Sequence, residues 1–327
     1  MNASRGSQGA EQLDCLIIGR GPAGLTAAIY LARFHLQVAV VDEGKSRALL
    51  IPESHNLPGF PGGISGAGFL SLQREHALLY GAAIAPGRVE DLALMPAGFI
   101  ARTSEGSWTA RCVLLATGVT NRRPSLDDDI HAEALRRGHL RYCPVCDGYE
   151  VTGKNVAVIG DDEKAVVECG FLRSFTDRLT MISTGDLPSH LGHKLAAIGA
   201  TVRRGPVIDM HLRSSGLEIT TGESAVVYDA VYPSLGSSIH SSLARRLGAA
   251  ATEDGCIEVD RHQRTTVENL YAAGDVVYGL DQISVCNGQA AIAAVAIRND
   301  LSKHHPLLWP ANKHPLRSGF LESRSRP

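Results

Sequence analysis

Residues 14–42 read DCLIIGRGPAGLTAAIYLARFHLQVAVVD, and this stretch decides the fold. DCLIIG has the length and apolar character of a buried strand. GPAGLTAAIYLARF is an Ala-rich helical segment, and QVAVVD is a second apolar strand. Together they predict a βαβ unit. Gly19, Gly21 and Gly24 form G-x-G-x-x-G at the turn from strand to helix. The first glycine permits the tight turn, the second lets a pyrophosphate approach the backbone, and the third lets the helix pack close on the strand. The diphosphate then meets the free N–H groups and positive dipole end of the helix. Asp42 or Glu43, about 20 residues on, stands where an acid bonds ribose hydroxyls. Glycines alone would describe any tight turn; with strand, helix and acid in register they describe a dinucleotide site.

Working outward, RCVLLATG (111–118) is another apolar strand ending in small residues. NRRPSLDDD (121–129) is a polar linker and a domain border. NVAVIG (155–160), DDEKAVVECGFLRSF (161–175) and RLTMISTG (178–185) then repeat the strand–turn–helix–strand pattern. The expected fold is therefore α/β with two Rossmann-like, doubly wound domains. NLYAAGDVV (269–277) follows, and GQAAIAAVAIRNDL (288–301) is an Ala-rich helix. A strand ending in Gly-Asp, here Gly274 and Asp275, brings a carboxylate to the ribityl and phosphate region of the flavin in two-dinucleotide flavoproteins. That favours FAD over NAD at the first site; the plain alternative is a strand-end turn.

The 327 residues are enough for two domains, and 44% hydrophobic with 20% charged residues is an ordinary globular composition. A net charge of −2 leaves no electrostatic footprint for nucleic acid or anionic lipid. No uninterrupted apolar run is long enough to cross a bilayer. The opening MNASRGSQGAEQ lacks the apolar core of a secretion signal and reads as a frayed leader, so a cytoplasmic protein is expected. Seven cysteines, an odd number without framework spacing, also suit a reducing compartment.

Only Cys143 and Cys146, in RYCPVCDGYE, are close in sequence. A C-x-x-C at a helix N-terminus can close a small disulfide, and the helix dipole lowers one thiol's pKa. Exchange chemistry needs a thiolate to attack and a low-pKa thiol to leave. Asp147 is placed to supply or remove the proton. Zinc would want four ligands, and no second C-x-x-C or H-x-x-x-H accompanies this one. The thirteen histidines offer no metal-ligand pair either, so no metal is expected. Cys15, Cys112 and Cys169 read as core residues. Cys286, in SVCNGQ ahead of the last helix, is either a buried structural cysteine or a third thiol near the flavin.

With these motifs in order, G-R-G-P-A-G, A-T-G at 116–118, C-P-V-C-D-G at 143–148, V-A-V-I-G at 156–160 and A-A-G-D at 272–275, the chain resembles the low-molecular-weight thioredoxin reductases along nearly its whole length. The resemblance implies a homodimer with an FAD-binding domain built from both chain ends, residues 1–124 and 246–327. A pyridine-nucleotide-type domain, residues 125–245, is inserted between them and carries the cysteines. It implies that Cys146 faces the flavin, that Cys143 attacks the substrate disulfide, and that Asp147 is the acid–base. Gln282 and the helix after it would lie beside the isoalloxazine. The flavin site so assigned comprises Gly19, Gly21, Pro22, Ala23, Gly24, Asp42, Glu43, Asn56, Ala116, Thr117, Gly118, Gly274, Asp275, Gln282 and Ile283.

Three departures matter. Members that use NADPH carry G-x-G-x-x-A after the second domain's first strand and a basic H-R-R-x-x-x-R run after the next one. Here Gly160 is followed by Asp161 and Asp162, with Ala165 kept, and RLTMIS is followed by TGDLPSH. Two carboxylates would stand where the pyrophosphate approaches, each pair of like charges at about 4 Å costing on the order of a few kcal/mol. The plain alternative is that they cap the helix. Nothing after RLTMIS pairs with a 2′-phosphate, so NADPH is not expected as the donor. The family's Gly-Gly-Gln-Leu stretch against the flavin is replaced by KSRALLIPESHNLPG (45–59). There Arg47 and His55 either contact the flavin or belong to a variable surface loop.

The expected function is an FAD-dependent disulfide oxidoreductase of an NADPH-independent branch, acting on a thioredoxin-like protein disulfide or a small dithiol. Three electron routes stay open: a ferredoxin donor, a second FAD as relay, or oxygen as acceptor for dithiol oxidation. The rivals are an NADPH thioredoxin reductase with an unorthodox nucleotide site and a non-catalytic flavin redox sensor. The tail around Trp309 is either a disordered end or a segment docked on the other subunit.

Overall fold

The first βαβ unit forms where it is expected in the structure, a computed structural model that describes residues 12–222, 224–304 and 306–307. The leader and the Trp309 segment lie outside the described residues. Strand β1 (Leu13–Ile18) leads through the glycine turn into helix α1 (Pro22–Arg33), and β2 (Val38–Asp42) returns parallel to β1 with Cys15 opposite Val38. Pro22 takes the first helical position, where its missing N–H would be unpaired in any case. Successive side chains of β1 point to opposite faces. Accordingly Cys15 and Ile17 join one core with α1, while Leu16 and Ile18 join a second on the other face.

Beyond a 3₁₀ turn at Arg47–Leu50 come α2 (Gly66–Leu79), β3 (Ala83–Pro86), β4 (Asp91–Met95), β5 (Gly98–Thr103) and β6 (Gly106–Leu115). The sheet runs β3-β2-β1-β6-β5-β4. Its centre is parallel and its β4–β5–β6 edge antiparallel. Strand β7 (Val119–Asn121) leaves this sheet, and the polar stretch after it is pinned by Arg123 to Asp128 at 3.0 Å.

The second unit contains α3 (Asp128–Arg136), the short α4 (Pro144–Asp147), β8 (Val156–Ile159), α5 (Glu163–Leu172), β9 (Leu179–Ser183), α6 (Ser189–Ala197) and β10 (Thr201–Arg204). An antiparallel meander follows, β11 (Asp209–Leu212), β12 (Leu217–Thr220) and β13 (Ala225–Tyr228), and then β14 (Ala230–Pro233). A parallel sheet, β10-β9-β8-β14, forms its middle layer. Val156 and Val158 pack toward α5 and α6, and Ala157 and Ile159 pack toward the meander and α3.

The chain returns through β15 (Ser237–Ile239), which pairs antiparallel with β7, so the outgoing and returning connections are laced together. Helix α7 (Ser242–Arg246) puts Leu243 and Ala244 into the core beneath β1. Strand β16 (Leu270–Ala272) then adds to β6, and α8 (Ile283–His304) packs on α1. Helix α8 starts earlier than its Ala-rich centre suggests, so Cys286 lies within its first turn instead of ahead of it. The β-branched Ile283 and Val285 weaken the local helix signal; burial of Cys286 and Ala290 against α1 supplies what propensity does not. No helix among the described residues is long and apolar enough to cross a membrane.

Candidate active site

The two strand-to-helix turns differ in what fills the first turn of the helix. In the first, Gly19 sits at φ +108°, and a Cβ there would lie 2.2 Å from the carbonyl oxygen of Ala116. A Cβ on Gly24 would lie 1.9 Å from the Gly19 carbonyl oxygen, so helix and strand meet without room for a side chain. Gly21 is the N-cap of α1 and offers no side-chain cap, which leaves the N–H groups of Ala23 and Gly24 without one. That arrangement fits a dinucleotide diphosphate. Asp42 braces the same turn, its carboxylate accepting from the backbone N–H of Arg20 at 2.9 Å and of Gly44 at 2.6 Å. Each carboxylate oxygen retains acceptor capacity for a hydroxyl. Glu43, next along, pairs with Lys45 at 3.0 Å.

In the second turn the cap is taken. Asp162 is the N-cap of α5, and its Oδ1 accepts from the backbone N–H of Ala165 at 2.9 Å. Asp161 reaches across to the end of β9, where the Thr184 hydroxyl donates to its two oxygens at 3.0 and 3.2 Å. Of the two expectations for this pair, capping is therefore realised at Asp162. The same geometry sets one carboxylate at the start of α5 and the other at the turn after β9.

Residues far apart in sequence converge at the start of α8. Gly274, at φ +82°, comes so near α1 that a Cβ would lie 3.0 Å from that of Ala23, and its N–H donates to Gln289 Oε1 at 2.8 Å. This sets Asp275 beside the first nucleotide turn. Arg47, from the segment that departs from the family pattern, pairs with Asp275 at 2.7 Å and Asp281 at 3.0 Å and also donates to Asn121. His55 turns instead to Glu53 at 3.3 Å. The thiol of Cys286 donates to Asp275 at 3.2 Å, and burial, then the Asp275 charge, push its pKa far above the ordinary thiol range. As placed, it is a hydrogen-bond donor rather than a nucleophile. Thr117 and Gly118 of the A-T-G stretch meet the returning chain, the Thr117 hydroxyl donating to the His240 carbonyl at 2.7 Å.

Cys143 and Cys146 form a disulfide around α4, with Cys143 as N-cap and its sulfur accepting from the Cys146 N–H at 3.1 Å. Pro144 at the first helical position helps fix this single turn. The disulfide rests against Gln282, whose Nε2 is 3.3 Å from Cys143 Sγ and 3.2 Å from Cys146 Sγ. Asn56 donates to Gln282 Oε1 at 3.1 Å. Ile283, the first residue of α8, follows directly. The sulfurs therefore connect to the first nucleotide turn through the first turn of α8, by way of Gln282, Cys286, Asp275 and Gly274.

Behind the disulfide, Asp147 is held by Arg141 at 2.9 Å and by the Tyr232 hydroxyl, which donates to its Oδ1 at 2.8 Å. Burial raises its carboxyl above the ordinary range, and Arg141 and Tyr232 oppose that rise. Neither partner is visible in sequence: Arg141 is one arginine among many, and Tyr232 lies on β14, 85 residues away. Tyr232→Phe keeps the buried ring and removes the hydroxyl that stabilises the carboxylate. The expected result is a further rise in the Asp147 pKa, because the carboxylate loses a hydrogen bond that the protonated acid needs less. In a pH profile of dithiothreitol turnover, the limb that reports Asp147 ionisation then moves to higher pH. An unmoved limb would remove Asp147 from the proton path.

The model of the pyridine nucleotide-disulphide oxidoreductase family matches residues 13–290. Thioredoxin reductase from Treponema pallidum is 32% identical over 302 residues, which is 86% of this chain and 95% of that protein. NADPH-dependent thioredoxin reductase 3 from Arabidopsis thaliana is 28% identical, over 93% of this chain and 61% of that one. The crystal structure of thioredoxin reductase from Streptococcus pyogenes superposes with a TM-score of 0.80 at 26% identity, covering 89% of this chain and 99% of that one.

Proposed function

Since the chain belongs to the pyridine nucleotide-disulphide oxidoreductase family, we propose that it is an FAD-dependent disulfide oxidoreductase of the thioredoxin-reductase type whose electrons do not come from NADPH. The Cys143–Cys146 disulfide is the chain's own redox group and exchanges with an external thiol or disulfide. When bound, the flavin supplies a two-electron carrier. The chain's own residues do the rest. Gly19, Gly21 and Gly24 would hold the flavin's diphosphate at α1, and Asp275, with Arg47 against it, would bond its ribityl and phosphate region. Gln282 and Asn56 seat the disulfide, and Asp147 moves the proton. In this reading residues 1–124 and 246–327 bind FAD, and residues 125–245 carry the cysteines. The setting is cytoplasmic and the molecule a homodimer. Its substrate is a thioredoxin-like protein or a small dithiol, and a ferredoxin, a second flavin or oxygen is its other redox partner.

The observation that carries the NADPH-independent part is the contrast between the helix caps. Gly21 leaves the first turn of α1 uncapped by any side chain, whereas the Asp162 carboxylate sits on the corresponding turn of α5. An anionic cap supplies the charge that a pyrophosphate would bring and repels the pyrophosphate itself. The alternative, an NADPH-dependent reductase, is favoured by the name of the Arabidopsis relative. Anaerobic titration separates the two. Stoichiometric NADPH is expected to leave the oxidised-flavin absorbance unbleached over minutes, while excess dithiothreitol bleaches it through the disulfide. Prompt bleaching by NADPH would establish the alternative.

A further inference from the structure

The side chains that seat the disulfide form a hydrogen-bond chain whose direction is fixed at the Val145 carbonyl. Ser54 is buried, and its hydroxyl lies 3.1 Å from Asn56 Oδ1. A carboxamide oxygen only accepts, so Ser54 donates. The Val145 carbonyl can only accept, so Asn56 Nδ2 is the end turned toward it and toward Gln282. It donates to Gln282 Oε1 at 3.1 Å and to the carbonyl of Val145, between the two cysteines, at 3.4 Å. With its oxygen engaged, Gln282 presents its NH₂ to both sulfurs. Turned end for end, the Gln282 amide would set donor against donor at Asn56.

A disulfide sulfur is a weak acceptor and gains little from this amide. A thiolate is an ionised acceptor, and hydrogen bonds to ionised groups are roughly twice as strong as neutral ones. The amide therefore favours the opened pair. We propose that Gln282 stabilises the thiolate formed in the exchange step and that Asn56 is the positioning residue that keeps its amide turned to the sulfurs. This rests on the reading of Cys143 and Cys146 as the working pair. In the step, an external thiolate, its proton already lost to solvent, forms an S–S bond to Cys143 Sγ as the Cys143–Cys146 bond breaks. The bonding electron pair leaves on Cys146 Sγ, so the substrate sulfur is oxidised into a mixed disulfide and Cys146 is reduced to a thiolate facing the Gln282 N–H. The reverse step has Cys146 attack the mixed disulfide, so the role of Gln282 is the same in either direction of net turnover.

The test uses the full-length flavoprotein. Gln282→Leu removes the donor at similar volume. The pH at which the more reactive thiol of the reduced protein is half-trapped by iodoacetamide should rise by about one unit. The equilibrium with dithiothreitol should shift about tenfold toward the disulfide, which is about 30 mV for a two-electron couple. Gln282→Glu, with an acceptor where the donor stood, should move both further in the same direction. Asn56→Leu should produce a smaller shift of the same sign, and the double variant should shift no more than Gln282→Leu alone. Neither readout depends on NADPH or any physiological donor, so failure of the NADPH-independent reading leaves both intact. Failure of the working-pair reading appears in turnover, not here. A Gln282 variant that keeps the parent's flavin spectrum and melting temperature, with thiol titration and dithiothreitol equilibrium both unmoved, overturns the proposal. Should both Gln282 variants fail to fold, an unmoved Asn56→Leu does the same.

Discussion

Serine in place of Cys146 is expected to give a folded, yellow protein whose thiol–disulfide turnover is lower by about 10³-fold or more, the scale seen when one member of a concerted catalytic group is removed. The hydroxyl occupies nearly the same space in the first turn around α4, so the fold has no reason to change. It cannot close the S–S bond that now rests on Gln282. Cys143 is left with one productive reaction, attack of its thiolate on a substrate disulfide, which forms a mixed disulfide as the substrate's other sulfur leaves as a thiolate. With no neighbour to resolve it, that adduct should accumulate and appear as added mass in non-reducing mass spectrometry. Turnover at the parent's rate by the Cys146→Ser protein would show that catalysis does not run through the pair, and the flavin would then be better read as a sensor.

The second large effect belongs to Gly24→Ala. The new methyl would sit 1.9 Å from the Gly19 carbonyl oxygen. The clash comes from Cβ itself, so no rotamer relieves it. Helix α1 must lift from β1, and because α1 is buried against α8 and the sheet, that movement disturbs one of the two cores of the first unit. Overpacking of this kind costs about 1–3 kcal/mol, and more where backbone is the obstacle. The same shift spoils the approach of a diphosphate to the helix start. Purified Gly24→Ala protein is expected to carry well under half the parent's flavin per chain and to melt several degrees lower, with added FAD recovering part of the loss. Gly170→Ala is the matched control. It lies in α5, where a Cβ meets nothing within 4 Å, and should be neutral or stabilising by about 0.5–1 kcal/mol. Parent-like flavin content in Gly24→Ala would move the diphosphate site away from this turn.

What the sequence made legible was local. The first βαβ unit, the second strand–helix repeat and the cysteine-capped turn each depend on residues within a few positions of one another. So does the Asp162 cap, which spans three residues. What escaped it is long-range. Arg47 meets Asp275 and Asp281 across 228 and 234 positions, and Asn56 meets Gln282 across 226. Arg47 was singled out as a candidate because its segment breaks the family pattern, but its partners exist only once α8 has packed on α1. Asn56 and Gln282 were both placed at the flavin, and their joint hold on the sulfurs needed the fold to appear. The early start of α8 was hidden for the same reason, since burial rather than propensity sets it.

Cys15, Cys112, Cys169 and Cys286 are all buried, and Cys256 is the most accessible of the remaining thiols. Selectivity among chemically identical groups is therefore imposed by shielding. An oxidant or electrophile in solution meets the interior sulfurs only after the fold opens, and the disulfide only after it has been reduced. Apart from Cys256, electrophilic damage is thereby coupled to the protein's own working cycle: the oxidised molecule shields its other sulfurs, and each reduction briefly gives up that protection at Cys143 and Cys146.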